Sequence, residues 1–555
     1  MNRGMGCGPD AGGRMSESVV VVGAGLGGFA TAVTAARAGA TVTLVERGER
    51  FGGAAAYSGG QVWVGANHVA ADEGSDDTVE QTQRYITALA AKEPSVFEAD
   101  RSAEWVEAAR AAARWFADRG VIEWTVIPDY PDYYFPDVDG ARPWGRYLTG
   151  APFDGARLGD WRPLMLHGPH FPSGLTYAEM FEFGGLSRRA EFAAVLEQRR
   201  ADDVMTYGQG VIAAFAGAAH DLGVDLRLRT AVTDLLVEDG RVVGVRAEGP
   251  DGTVELRGDV VLATGSHDWS SEISRQVTGL QAEDAGSVAP DTLTGDHFAF
   301  AEQVGAQVRS IPAWAAPVLP GYRLSTPAFE GDTGFRPCYE HCVPHTFIVN
   351  REGERFCDDS FHPSIVAAAL QGDGSNRPNV PMFMIWDEQH HQKYGLGATA
   401  PGGDYPEGLV ESASTLEELA DRLGVDPAGL EATAARFNEA AARNEDPEFG
   451  RGSNASVRRF RGDNNAPHPN IAPVEQAPFF GMRLRLLNTG IASGGLRTTD
   501  HGKVLSEDGS VIPGLYAVGE CAVRSTGGGG YNSGYSLSRA MTFGWLAAND
   551  IVDAG

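Results

Sequence analysis

Residues 18–47 read SVVVVGAGLGGFATAVTAARAGATVTLVER, and no other stretch constrains the fold as tightly. Residues 19–22 are an apolar run of buried-strand type, and a glycine turn follows at once. Gly23, Gly25, Gly27 and Gly28 then give way to an alanine-rich stretch with helix propensity. Residues 41–45 predict a second strand, which Glu46 closes. This is the strand, glycine turn, helix, strand, acid order of a dinucleotide-binding unit. The glycines divide the physical work. Gly23 permits the tight turn, Gly25 lets the backbone approach a pyrophosphate, and Gly28 allows close helix–strand packing. The helix that follows turns its N-terminus toward the phosphates, and Leu26 is among the candidate contacts. Glu46 is placed to accept hydrogen bonds from a ribose, with Arg47 beside it.

The glycine motif does not choose between FAD and NAD. The next segment, RFGGAAAYSGGQVWVGAN at 50–67, favours a flavin, because it resembles the small-residue segment that lies along the flavin in many flavoproteins. Gly53, Ala54, Ser58, Gly59 and Gly60 are its candidate contacts. Two distant strands end near the same nucleotide. VVLATGS (260–266) delivers Ala263, Thr264 and Gly265, and GLYAVGECA (514–522) delivers Gly519 and Glu520. Val232 and Asp296 join this set. Pieces so far apart in sequence make the nucleotide domain discontinuous. The expected fold class is α/β: a Rossmann-like FAD-binding domain over 18–289 and 476–555, with an inserted α+β catalytic or cap domain over 290–475. Residues 1–17 are expected to be a disordered tail. Helical periodicity over 76–120 puts Trp105, Ala109, Ala112 and Phe116 on one face. Residues 414–444 read as helices of the inserted domain, with Leu416, Leu419, Leu423, Leu430 and Phe437 apolar.

Composition narrows the partners. A net charge of −29 disfavours nucleic acid and anionic membrane, though not a neutral small molecule. Five cysteines are too few and too scattered for a disulfide framework. Cys338 and Cys342 lack a second zinc-spaced pair, so no metal site is expected. Reduced thiols imply a cytoplasmic setting. Residues 1–17 lack the apolar core of a signal peptide, and no apolar run is long enough to span a membrane.

Several long segments resemble one family. They include GGAAAYSGG (52–60), PDYYFPDVDGARPWGRYLTGAPFDGARLGDW (131–161), VNREGERF (349–356), HPNIAPVEQAPFFGMRL (468–484) and SGGLRTTDHGKVLSEDGSVIPGLYAVGECA (493–522). The chain resembles the 3-ketosteroid Δ1-dehydrogenases, within the fumarate reductase/succinate dehydrogenase flavoprotein superfamily. The resemblance implies FAD, held without a covalent link, since 52–60 contains no histidine. It implies a cyclic 3-ketone between the flavin and the inserted domain. The reaction is desaturation beside the carbonyl: a proton leaves the α-carbon and a hydride leaves the β-carbon for flavin N5. The expected partners are this ketone and an electron acceptor.

Such chemistry needs hydrogen-bond donors at the ketone oxygen and a base at the α-hydrogen. The family's donors lie in a C-terminal loop, here GGGGYNSGYSLSRAMTFG (527–544). The family's glycine falls on Gly534, while its tyrosine falls on Gly530, one residue from Tyr531. A related branch that desaturates the 4,5 position has Tyr-x-Ser-Gly, which matches 531–534 without a gap. Tyr531 is therefore the expected carbonyl donor, with the Gly534 N–H and Ser533 as helpers. Glycines 527–530 are expected to let the backbone pass close to the flavin. Ser536 and Leu537 are expected to offer N–H groups to its pyrimidine edge. The base is open. The family's slot after the RF strand holds Phe361, His362 or Pro363 rather than tyrosine or arginine, and His362 is the titratable choice. Tyr133, Tyr134 and Tyr177 are further candidates, and His341 and His345 are expected to line the site. Two readings compete: the same desaturation on a small cyclic ketone such as a cyclohexanone, and a fumarate-reductase-like enoate reductase. The second needs arginines to clamp carboxylates; Arg323, Arg351 and Arg524 are available in no matching motif.

Overall fold

The computed structural model describes residues 18–169, 171, 173–183, 192–315, 317–328, 332–371 and 378–554. The expected tail, 1–17, lies outside the described residues.

The first strand, β1 (Ser18–Val22), is followed by helix α1 (Leu26–Arg37), strand β2 (Thr41–Val45) and the short helix α2 (Gly53–Tyr57). Two strands from far downstream complete the layer: β3 (Asp259–Leu262) and β4 (Val511–Ala517). The sheet runs Lys503–Leu505, β4, β3, β1, β2, Asp225–Arg227, all parallel except its first edge strand. Strands buried on both faces read as continuous valine and leucine runs, as 19–22 and 260–262 do. The long C-terminal helix α3 (Tyr535–Ala554) packs along α1. Gly28 lets α1 close on its own turn, and Gly544 lets α3 close on α1. A Cβ on Gly28 would meet the Gly23 carbonyl oxygen at 1.9 Å, and one on Gly544 would meet the Gly27 oxygen at 2.7 Å.

A second sheet forms the inserted layer. Its order is Phe335–Pro337, Leu319–Arg323, Phe479–Asn488, Met382–Asp387, Thr346–Val349. Ala285–Ser287 and Glu411–Ala413 also pair with Phe479–Asn488. The sheet thus draws strands from both sides of the 290–475 span. Leu416–Leu423 and Pro427–Ala441 are helices, and they bury Leu419, Leu430 and Phe437 against it. The 76–120 region forms two helices, Val79–Ala90 and Ala99–Asp118, with Trp105, Ala109, Ala112 and Phe116 buried as the periodicity requires. No helix among the described residues is long and apolar enough to cross a membrane.

Candidate active site

Where β1 meets α1, the glycine turn opens a cleft of about 900 Å³. Gly23, Gly25, Leu26, Gly27, Glu46 and Arg47 line it, as do Gly53, Ala54, Val232, Ala263, Thr264, Gly265, Asp296, Gly519, Glu520, Ser536 and Leu537. Gly23 has φ +109°, and a Cβ there would lie 2.4 Å from the Ala263 oxygen. A Cβ on Gly25 would meet no protein atom within 4 Å, so its missing side chain leaves open room at the N-terminus of α1. Glu46 is buried, and its two carboxylate oxygens accept the Ala24 and Gly48 N–H groups at 3.0 and 2.8 Å. Burial pushes its pKa up, against those hydrogen bonds and Arg47. Arg47 donates to the Asp296 carboxylate at 2.7 Å, tying one rim of the cleft to the other. Glu520 joins three segments: its carboxylate accepts the Ala492 N–H at 3.0 Å and the Ser536 hydroxyl at 2.6 Å, and it pairs with Arg539 at 3.3 Å. A glycine-floored helix N-terminus with a buried carboxylate beyond it fits the phosphates and ribose of FAD.

Four expected cofactor contacts are placed elsewhere. Gly28 serves the helix packing described above. Ser58, Gly59 and Gly60 line a second cavity, of about 970 Å³, that adjoins the first. The two share Ala54, Ala55, Gly490, Ser536 and Leu537. The N–H groups of Ser536 and Leu537 have no protein acceptor among the described residues, because they open helix α3.

The second cavity gathers side chains from distant segments. Gln61, Tyr133, Phe171, Tyr339, His362, Phe460, Arg461, Tyr531, Ser533 and Gly534 all face it. The Tyr133 ring stands edge-on to Tyr531 at 6.1 Å and to His362 at 5.7 Å between centroids. Asn532 fixes the loop that carries Tyr531. Its side chain accepts from the Tyr85 hydroxyl (2.7 Å) and the Tyr133 N–H (3.2 Å), and donates to the Tyr147 hydroxyl (2.9 Å). The Ser533 hydroxyl donates to Gln61 at 2.6 Å. Gly534 has φ +77°, and a Cβ would sit 2.8 Å from the Trp63 nitrogen, so only glycine fits. Its own N–H makes no hydrogen bond to protein among the described residues, while its oxygen accepts from the Trp63 N–H at 3.0 Å. Burial holds the Tyr531 hydroxyl protonated, well above the usual tyrosine range, which suits a donor.

Five expectations change here. Tyr134 is not in the described lining; the Lys92 ammonium lies 3.5 Å above its ring instead. Tyr177 points away and donates to the Gly59 oxygen at 2.7 Å, so it supports the cavity wall from behind. His341 and His345 are not lining residues either, and their Nδ1 atoms are spent on the Asp359 and Pro473 carbonyls. His362 does reach the cavity, but burial drives its pKa well below the ordinary imidazole value, so it stays neutral and is a weak base. Glycines 527–530 line neither cavity. They let the loop lie against Val79–Ala90 and Glu93: a Cβ on Gly530 would meet Leu89 at 2.7 Å, and one on Gly529 would meet Glu93 at 2.4 Å.

Sequence reasoning missed Gln61, Asn532, Tyr339 and Arg461. Asn532 is the unspecified position of Tyr-x-Ser-Gly, and Gln61 directly follows Gly60, so both lay beside recognised motifs. Tyr339 and Arg461 had no motif to mark them. Arg323, Arg351 and Arg524 are absent from the described lining, so no carboxylate clamp of the expected kind forms.

The FAD binding domain family model matches residues 18–538. The chain is 29% identical to the 3-oxosteroid 1-dehydrogenase of Mycolicibacterium smegmatis, over 96% of this chain and 97% of that one. It is 30% identical to the 4-oxocyclohexanecarboxylate 2-dehydrogenase of Sinomonas cyclohexanicum, over 97% and 93%. Among solved structures it resembles the 3-ketosteroid Δ1-dehydrogenase of Sterolibacterium denitrificans in complex with 1,4-androstadiene-3,17-dione. The TM-score is 0.87 at 26% identity, covering 97% of this chain and all of that one.

Proposed function

This chain belongs to the FAD-binding-domain flavoproteins and binds FAD, and from that premise we propose that it introduces a C=C bond beside the carbonyl of a cyclic ketone. One observation carries the reading. The nucleotide cleft and the tyrosine-lined cavity share Ala54, Ala55, Gly490, Ser536 and Leu537, so a ketone in the second lies against whatever the first holds at that wall.

The cleft residues would hold FAD through backbone N–H groups at α1 and α3 and through Glu46. Bound there, FAD supplies the hydride-accepting chemistry that no side chain possesses. The protein's own residues handle the carbonyl and the proton. The Tyr531 hydroxyl and the Gly534 N–H are the donors to the ketone oxygen, which acidifies the neighbouring α-hydrogen. Asn532 orients Tyr531, and the Ser533–Gln61 hydrogen bond fixes the turn between donor and donor. Tyr133, edge-on to Tyr531, is placed to take the α-proton, which it does as the phenolate, ending as the neutral phenol. The ketone is a 3-ketosteroid or a smaller monocyclic ketone; the similar dehydrogenases act on both kinds. We place the enzyme in the cytoplasm, a setting in keeping with the four buried free thiols among the described residues, Cys338, Cys342, Cys357 and Cys521. The test is Tyr531→Phe. Losing one preorganised donor should lower kcat by about 10²–10³-fold, with flavin content unchanged. Wild-type turnover by this variant would remove Tyr531 from the carbonyl.

A further inference from the structure

The buried arginines of the described chain are, as a rule, paired. Arg146 meets Asp77 and Asp132, Arg355 meets Asp359 and Asp446, Arg451 meets Asp359, and Arg539 meets Glu520. Two arginines depart from this: the buried Arg524 guanidinium and the Nη1 of half-buried Arg461 have no hydrogen-bond partner among the described residues. Of the two, only Arg461 lines a described cavity, and that cavity is the ketone site.

Arg461 is held in place by rings rather than by charges. Its guanidinium lies 4.5 Å from the Tyr339 ring centre and 5.8 Å from that of Phe460. Stacking positions the fork but leaves its buried Nη1 without an acceptor among the described residues. No aspartate, glutamate or lysine is in the described lining, so Arg461 is its one permanent charge. A partly desolvated, unpaired guanidinium is costly unless an anion completes it. The rest of the molecule makes that anion harder to admit, since a net charge of −29 repels it at long range. A local cation with free donors is the physical answer to that repulsion.

We propose that Arg461 binds a carboxylate carried by the substrate, so that the enzyme's ketone is a cyclic oxo acid rather than a neutral polycyclic ketone. The proposal rests on the ketone-desaturase reading above and adds a second recognition point to it. Tyr531 and Gly534 take the ketone oxygen. Arg461, reaching the same cavity from the end of Ala455–Phe460, takes the acid through a two-pronged pair.

The experiment uses the FAD-loaded enzyme and two kinds of probe. Cyclohexanecarboxylate and its carboxamide cannot be desaturated beside a ketone, so they report binding alone, by calorimetry. The expected result is carboxylate binding at least about tenfold tighter than amide, lost in Arg461→Gln and partly kept in Arg461→Lys. Equal binding of acid and amide by wild type overturns the proposal and requires no variant. Turnover is then compared for 4-oxocyclohexanecarboxylate and its methyl ester. Arg461→Gln should raise KM for the acid by about 10²-fold and leave kcat/KM for the ester within about twofold. If instead it lowers kcat for both alike and shifts the pH profile, Arg461 acts on Tyr133 and the proposal fails. Arg461-dependent acid binding without turnover of any cyclic ketone would sink the desaturase reading and leave the anion site standing.

Discussion

The two adjoining cavities are built in opposite ways. The nucleotide cleft is made mostly of backbone: glycines that omit a Cβ, helix ends that offer N–H groups, and strands that stop at the right place. The second cavity is made largely of side chains, brought from residues 57, 58, 61, 133, 171, 339, 362, 460, 461, 531 and 533. Backbone recognition depends on local conformation, so it leaves a local spacing in the sequence. A side-chain cavity depends on tertiary placement, so its members need have no spacing at all.

That contrast predicts where substitutions act. The largest effect belongs to the cleft. Gly28→Val puts carbon where the Gly23 oxygen lies, 1.9 Å away at the Cβ. The strand, turn and helix cannot close, and the purified protein should carry no flavin, read from the ratio of visible to ultraviolet absorbance. A normal flavin content would show that the turn is not the rigid floor described here.

Next is the frame under the cavity wall. Asp359 is fully buried; burial pushes its carboxyl up, but Arg355 and Arg451 outweigh it and hold it well below the usual carboxylate range. It also accepts the Ile348 N–H at 2.7 Å. Asp359→Asn leaves two buried cations under-paired and should cost about 3–5 kcal/mol. The sign for pH follows from the depressed folded pKa. The stability this group contributes is complete above about pH 4, the unfolded carboxylate value, and is lost as pH falls toward the folded one. Thermal melts of wild type and variant should therefore converge in acid. A constant difference down to acid pH would mean that the carboxylate charge is not what holds the frame.

The smallest effect is expected at His362. Its neutral ring fills the wall, so His362→Gln should cost less than the roughly 10²-fold that removing a general base costs, with the pH profile of kcat unchanged. A larger loss, or a vanished acid limb, would return the base to His362 and displace Tyr133.

The same contrast explains how much could be read in advance. Seventeen of the expected cofactor residues line the cleft because motif and function coincide there. That Gly534 and Tyr531 line the second cavity was legible because a loop pattern carried them. Tyr177 and Tyr134 misled because an aromatic near a motif looks the same whether it faces the cavity or backs it. The glycine run at 527–530 misled for a related reason. A missing Cβ signals close approach, but the partner turned out to be Leu89 and Glu93 rather than the cofactor site. Arg461 was invisible because its significance lies in what it lacks, a carboxylate neighbour, and absence of a neighbour has no sequence pattern.

In the proposed reaction a cyclic ketone in the second cavity delivers reducing equivalents to the cofactor of the first. The direct measurement is anaerobic mixing of the FAD-loaded enzyme with 4-oxocyclohexanecarboxylate and with a neutral 3-ketosteroid, following flavin absorbance and product mass. The flavin should bleach in step with formation of a product lighter by one pair of hydrogens and unsaturated beside the carbonyl. Flavin that stays oxidised with every cyclic ketone, in protein that retains its FAD, would contradict it.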